Sequence, residues 1–516
     1  MNSCQGNLTS AAQMTRILKD MQTIWRLKPG DKVFRPRRIK PYRLRRILGV
    51  PALFSAGYGD VGSSIYYALG IVALVAVGAT PIALALAGII YIFNALTYAE
   101  GSAMIPEAGG SASFARQGFN DLGGFAGGWA LMLSYIVTIS ISSFTIPPYL
   151  SFFWPILKEP AVGTATSLGI IIFLMMLNVF GIRESSRLNM TFIAMDIATQ
   201  LGLIISGVVL ITAINPGILF EHMFGAGNWP TTQNLVFGIA LAALAFTGVE
   251  TVSQMAQEAR RPAEQIPRAY MLMIVIVLVL FAGISLVALS AMTPQLLGDP
   301  INGWARDPVA GIAANLPSER LRDIFAPLVA VLAATILLTA TNAGIMGVSR
   351  LAFNLSSHRQ LPATLSRVHP RFRTPYIAII VFCTTALLVL IPAFFNPDFF
   401  TDLGALYAFG SLLSFALAHA AILSLRKKQP DLPRPFKLRG NIKVRGIDLP
   451  VTAVLGLLST SAVWIILIII QPYSRLVGII WMAAGLVIYT IYRKKAGLPL
   501  THILNKEDQA KRKPQE

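Results

Sequence analysis

Three carboxylates stand in stretches so apolar that water could not solvate them. Asp60 lies in Gly57-Tyr58-Gly59-Asp60-Val61-Gly62-Ser63-Ser64, Asp196 in Ile193-Ala194-Met195-Asp196-Ile197, and Glu250 in Phe246-Thr247-Gly248-Val249-Glu250. A carboxylate at membrane depth costs roughly 2.5–3.5 kcal/mol on insertion scales, so each is expected to face the protein interior and to hold a cation, a proton or a hydrogen-bonding neighbour. Gly57, Gly59 and Gly62 each weaken a helix by about 1 kcal/mol relative to alanine. Glycines around a buried acid predict a discontinuous helix whose freed backbone binds a substrate or ion near the bilayer midplane. The alternative is a glycine-rich packing face with Asp60 paired to a nearby hydroxyl.

Gly248 and Glu250 fall mid-way along the sixth apolar span, five spans after the first such stretch. Corresponding breaks in helices one and six mark an inverted five-plus-five repeat with the site between them. A single helix kinked at Gly248 with Glu250 capped is the competing reading. No lysine or arginine interrupts these helical cores, so the pathway reads as acidic, suited to a cationic solute or a coupled proton. Asp60, Asp196 and Glu250 are the candidate coupling groups, because a buried carboxylate can carry a proton or a cation; a hydrogen-bonded structural acid is the alternative for Asp196. Further candidates are Ser134 and Thr138 in the third span, Phe246 as a lid or as core packing, Thr247 at the break, Tyr407 as a gate, and Thr341, Asn342 and Ser349 as helpers in ion binding.

These residues need elements to hold them. With 516 residues, 54% hydrophobic and 13% charged, the chain reads as an all-α polytopic membrane protein. Apolar runs near 48–78, 80–104, 121–155, 164–181, 188–214, 234–257, 269–292, 322–354, 375–394, 398–425, 449–471 and 474–492 give about twelve spans. The net charge of +19 falls in short connections and tails, which speaks for topology and not for nucleic acid. Arg116, Arg183, Arg187, Arg260, Arg261, Arg268, Arg359, Arg367 and Arg426–Lys428 mark one side, so both termini are expected in the cytoplasm of a multi-pass protein of the cell membrane. Residues 1–46 read as a basic leader, 47–425 as the transport core of helices one to ten, 426–492 as a basic loop with helices eleven and twelve, and 493–516 as a tail. Cys4 and Cys383 support neither a disulfide framework nor a metal cluster, and the five histidines have no metal spacing. No phosphate loop or nucleophile constellation is present, so an enzyme or ATP-driven pump is not expected, and no cofactor.

The longer motifs carry a resemblance. Gly248-Val249-Glu250, then Gln257-Glu258-Ala259-Arg260-Arg261-Pro262 and Ile266-Pro267-Arg268-Ala269, resembles the sixth-helix signature of the amino acid-polyamine-organocation permeases. Tyr98-Ala99-Glu100-Gly101 with Ile105-Pro106-Glu107-Ala108-Gly109-Gly110-Ser111, Gly181-Ile182-Arg183-Glu184-Ser185-Ser186-Arg187-Leu188-Asn189, and Ser349-Arg350-Leu351-Ala352-Phe353-Asn354 resemble other parts of that superfamily. The resemblance implies the leucine-transporter-like fold, alternating access, and a neutral glycine-rich break in helix one whose free N–H groups take a substrate carboxylate; here Gly57, Gly59, Gly62, Ser63 and Ser64 are the candidates for that site, and Asp60 adds a negative charge among them. The run from Tyr58 to Tyr67 is instead similar to potassium uptake permeases of the same superfamily, in which the aspartate would be a cation ligand with Tyr67 nearby. Two departures from the amino acid permeases matter: Asp60 in the first-helix run, and Asp196 where many of the group carry lysine. Ser134 in turn stands where the potassium-type relatives often carry aspartate, so a potassium site would lack one of its usual acids.

The expectation is therefore a secondary transporter in a lipid bilayer, moving an amino acid or small organic cation with proton coupling. A proton-coupled potassium importer and a ligand-sensing receptor that does not transport are the alternatives, and Na+ or K+ are the other coupling ions considered.

Overall fold

The structure, a computed structural model, describes residues 46–501 apart from 182–185, 215–216, 397–398, 439 and 445–446. The leader up to residue 45, the tail from residue 502 and Ile182–Ser185 of the fifth-helix motif lie outside the described residues. Among the described residues, eleven helical stretches are long and apolar enough to cross a bilayer. The first, Val50–Met104, has 55 residues, or ~80 Å at 1.5 Å per residue, far more than a hydrocarbon core of ~30 Å needs. It is interrupted at Val77, whose φ of 48° opens a short 3-10 turn to Ala79. That interruption makes two crossings of one stretch, and the expected twelve are present.

The N-terminal third comprises α1 (Val50–Val61), α2 (Ile65–Ala76), α3 (Thr80–Met104), the short α4 (Ser111–Gly118) and α5 (Asp121–Leu150). Asn120 starts α5 by accepting from the Gly123 amide at 2.9 Å, satisfying one of the donors a helix start leaves free. Next come α6 (Pro160–Phe180), α7 (Ser186–Ile214), α8 (Ile218–Phe224), α9 (Thr232–Ala242), α10 (Glu250–Gln254) and α11 (Pro262–Ala291). The last part holds α12 (Pro294–Gly298), α13 (Pro308–Ala314), α14 (Glu319–Ser357), α15 (Tyr376–Leu390), α16 (Phe399–Lys428), α17 (Val451–Ile470) and α18 (Pro472–Lys495). Proline opens α3, α6, α11 and α18 at their first turns, where its missing N–H costs nothing. The connection after α16 is not featureless: Asn441–Val444 and Ile447–Pro450 pair as an antiparallel hairpin, β1 and β2.

Burial orders these helices from centre to rim. The most apolar window of α5 is 100% buried, against 28% for α17 and 22% for α18. The rim exposes large apolar side chains such as Leu458, Ile469, Leu476 and Ile205, as a surface solvated by acyl chains requires. At the end carrying the basic connections, charged groups join the helices. Glu100 of α3, fully buried, accepts from Nε and a terminal nitrogen of Arg426 at 2.8 and 2.7 Å and from the Leu438 amide at 3.0 Å. Glu258 ties two more elements: its carbonyl accepts from the Ile47 and Leu48 amides at 2.9 Å each, and its carboxylate pairs with Arg350 of α14 at 3.0 Å.

At the opposite end the segment between α12 and α13 presses onto α2. A Cβ on Gly70 would collide with the Ala305 backbone, and the Tyr149 hydroxyl donates to the Tyr66 carbonyl at 2.8 Å while accepting from the Val309 amide at 3.3 Å. Asp307 is buried in this segment. Burial, only partly offset by Lys158 and Arg306, pushes its carboxyl from the ordinary 3.8 up to about 7. A carboxyl raised by folding contributes stability that is complete below its unfolded value and is lost as pH rises through the folded one. Thermal unfolding in detergent should therefore show wild-type stability falling between about pH 4 and pH 7, and a flat profile for Asp307→Asn. An equally steep profile in the variant would assign the dependence to another group.

Candidate functional site

Helix one differs from the expectation of an unwound break. α1 and α2 are joined by a single 3-10 turn at Gly62–Ser64, right-handed throughout, with the Gly62 amide still bonded to the Tyr58 carbonyl. Continuous helical bonding keeps backbone groups satisfied where water is scarce. The glycines serve close packing instead: a Cβ at Gly57 would meet Val252 and Met273 at 2.6 Å, one at Gly62 the Tyr58 ring at 2.6 Å, and one at Gly59 only Ile193 and Thr339 at 3.5 and 3.6 Å. The freed amides expected at Ser63 and Ser64 are thus part of a helical turn. The Ser63 hydroxyl donates to the Asp60 carbonyl at 2.7 Å, and the Ser64 hydroxyl shares a hydrogen bond with Tyr67 at 2.8 Å.

Helix six does break. After α9 and a 3-10 turn at Ala243–Phe246, Thr247 is extended with φ −79° and ψ 161°, and Gly248 has a φ of 98°. Only glycine takes that conformation without strain. It also leaves no room for a side chain: a Cβ would lie 2.8 Å from the Asp60 carboxyl carbon and 2.9 Å from the Val61 nitrogen. The glycine-rich turn of helix one and the break of helix six therefore face each other.

Two carboxylates converge on Gly248 from opposite sides. Asp60 accepts through Oδ2 from the Thr251 hydroxyl, and its Oδ1 has no hydrogen-bond partner. Glu250 accepts through Oε2 from the Gly248 amide at 3.2 Å, and its Oε1 has no partner. Both side chains are 1% exposed. The Tyr135 hydroxyl, also buried and unpartnered, lies close enough to interact with both. A buried acceptor normally finds a donor, so these two carboxylate oxygens beside the helix break have the chemistry to accept from an ammonium, a proton or water.

Asp196 is not part of this pair. It accepts from Tyr58 at 3.0 Å, from Tyr66, and from Gln200 at 2.8 Å. Tyr58 and Tyr66 flank the 3-10 turn, so Asp196 clamps both halves of helix one to α7. With three donors on two oxygens it is satisfied as an ionised carboxylate.

Other candidates are engaged locally. Ser134 shares a hydrogen bond with Ser411 of α16 at 2.6 Å, and Thr138 donates back to the Ser134 carbonyl at 3.0 Å. Thr247, Thr341 and Ser349 donate to carbonyls three or four residues earlier. Phe246 packs on Tyr91 and Phe281 with centroids 5.3 and 5.1 Å away, in the core. Tyr407 is buried. Thr251, Tyr58, Tyr66 and Gln200 were not among the sequence-derived candidates. Gln200 could have been found, since it lies four residues from Asp196 on one helix face, whereas nothing in the sequence pairs Thr251 with Asp60.

The sequence profile of the amino acid permeases matches residues 48–492. The chain belongs to the amino acid permease family. The match extends through α17 and almost to the end of α18, which carry no recognisable motif. Relatives at similar distances include the branched-chain amino acid permease BcaP of Bacillus subtilis (strain 168), 27% identical over 88% of this chain and 94% of that one. The methylthioribose transporter of the same organism is 26% identical over 93% and 99% of the two chains. The large neutral amino acids transporter small subunit 2 of Rattus norvegicus is 25% identical over 68% and 64%. This amino acid permease family member is a multi-pass membrane transporter and not an enzyme.

Proposed function

We propose that the protein moves an amino acid, or a small organic amine, across the cell membrane in symport with protons, the solute's ammonium resting on Asp60 and the proton on Glu250. The observation that carries this is the pair of unpartnered oxygens, Asp60 Oδ1 and Glu250 Oε1, beside the break at Gly248. An ammonium supplies three donors and a full positive charge, which suits an acid whose other oxygen is already held by Thr251. Both carboxylates lie against Gly248, and like charges that share a buried site repel strongly enough that one of them stays protonated, so one of the two is best neutral until a cation arrives. Glu250 has the fewer donors from side chains and takes that role, while Asp196, fully bonded, holds helix one in place. The relatives named for branched-chain and large neutral amino acids support a zwitterion over a bare metal cation. The basic connections support both termini in the cytoplasm, and symport with protons moves the solute inward down an inward proton gradient.

Proteoliposomes loaded at pH 7.5 and diluted to pH 6.5 test this with radiolabelled leucine, lysine, putrescine and rubidium. Accumulation of an amino acid or the diamine that collapses with a protonophore is the expected result. Rubidium uptake alone would transfer the site to potassium, and binding without flux of any probe would make the protein a receptor.

A further inference from the structure

We infer that Gln254 and Tyr98 organise a water-filled proton path leading from Glu250 toward the side marked by the basic connections. The inference rests on Glu250 being the proton carrier. Gln254 lies four residues after Glu250 in α10, one turn further along the same face. Its side chain is 2% exposed, yet neither the amide oxygen nor the amide nitrogen has a hydrogen-bond partner. The hydroxyls of Tyr98 and Ser102 on α3 are fully buried, the first within reach of Ser111 and Ser414 and the second of Tyr270. A buried polar atom left alone costs about as much as a lost hydrogen bond, and three such atoms one helical turn apart, Glu250 Oε1 and the two of the Gln254 amide, are the kind of group that a bridging water satisfies.

The groups share one space. Gly110, with φ 51°, occupies a backbone conformation that glycine takes readily. A Cβ there would lie 3.5 Å from the Tyr98 ring and 3.6 Å from Gln254 Nε2. The bare backbone of Gly110 therefore sits against both groups, and the neighbour that bars a side chain there is the Ser253 hydroxyl, 2.7 Å from that position. Beyond them the Tyr98 hydroxyl lies beside the Ser111–Ser414 pair, whose oxygens are 2.7 Å apart. Ser102 then follows Tyr98 by one turn toward the end of α3 at Met104.

Each group has a definite part. The Glu250 carboxylic acid gives its proton to a bridging water and becomes a carboxylate, and the excess proton passes along water and hydroxyls that both accept and donate. The Gln254 amide exchanges no proton; its oxygen and NH2 fix the orientation of the water between Glu250 and Tyr98, so it is a positioning residue. The neighbouring charged groups leave this direction open. Asp60 faces Glu250 from the far side of Gly248, Glu100 of α3 is neutralised by Arg426 of α16, and Glu107 by Arg116 at 3.0 Å.

Time-resolved infrared spectroscopy of the purified protein after a pH jump reads the path without needing the solute. The carboxylic C=O band absent from Glu250→Gln identifies the carrier. Gln254→Leu and Tyr98→Phe should slow the appearance of that band at least tenfold, while its final amplitude at pH 5 and the melting temperature stay at wild-type values. Tyr98→Phe removes a single oxygen and stands alone if the leucine variant does not fold. Wild-type kinetics in Tyr98→Phe, or in both variants, would overturn the path. A spectrum in which Glu250→Gln loses no band would instead overturn the assignment of the carrier, and the path with it.

Discussion

Asp60→Asn should weaken binding of the transported amine at least tenfold, or about 1.4 kcal/mol, and bring uptake at low solute concentration close to background. Asparagine keeps the shape and can still accept from Thr251 through its one remaining oxygen. What disappears is a full negative charge at a site 1% exposed, where Coulombic attraction exceeds its value in water several-fold. The fold should survive, because Asp60 ends no ion pair among the described residues and its glycine neighbours pack through backbone. Isothermal titration with the solute selected by uptake, alongside a melting curve, separates the two effects. Unchanged affinity with unchanged stability would make Asp60 a structural partner of Thr251 and remove the basis for an ammonium there.

Glu250→Gln should abolish concentrative uptake while sparing exchange. With one proton per solute, a gradient of one pH unit supports about tenfold accumulation, or about 1.4 kcal/mol. Without a titrating group the internal and external concentrations should equalise. Glutamine preserves the hydrogen bond to the Gly248 amide, so the break keeps its geometry and counterflow of labelled against unlabelled solute should persist. Asp196→Asn makes the contrast: it removes charge from the clamp on Tyr58 and Tyr66, and should reduce counterflow and pH-driven uptake together. Retention of pH-driven accumulation in Glu250→Gln would place the coupled proton elsewhere.

The spans were legible because membrane depth demands long apolar runs. The third and the eleventh were bounded to within a few residues, and the boundary expected between the first two, near residue 79, coincides with the interruption at Val77. The helix-six break was legible because a glycine and an acid two residues apart mid-span, Gly248 and Glu250, have few other uses. The same reasoning failed at helix one, where three glycines were read as unwinding and serve packing against Val252, Met273 and Tyr58. Sequence counts the cost of glycine in an isolated helix, but whether a neighbour comes close enough to repay it depends on a partner nearly two hundred residues away.

By itself the sequence determined the class and the number of crossings, and it singled out three buried acids, since each follows from local composition against a solvent with no hydrogen bonds to offer. Only the tertiary structure decided which acids lie together. Asp60 and Glu250 meet at Gly248, because a positive φ without a Cβ lets helix six approach helix one. Asp196, equally acidic and equally buried, is drawn away by Tyr58, Tyr66 and Gln200. Hydrogen-bond donors are short-range, so a carboxylate's role is set by the few groups within about 3 Å of it, and residues far apart in the chain supply them.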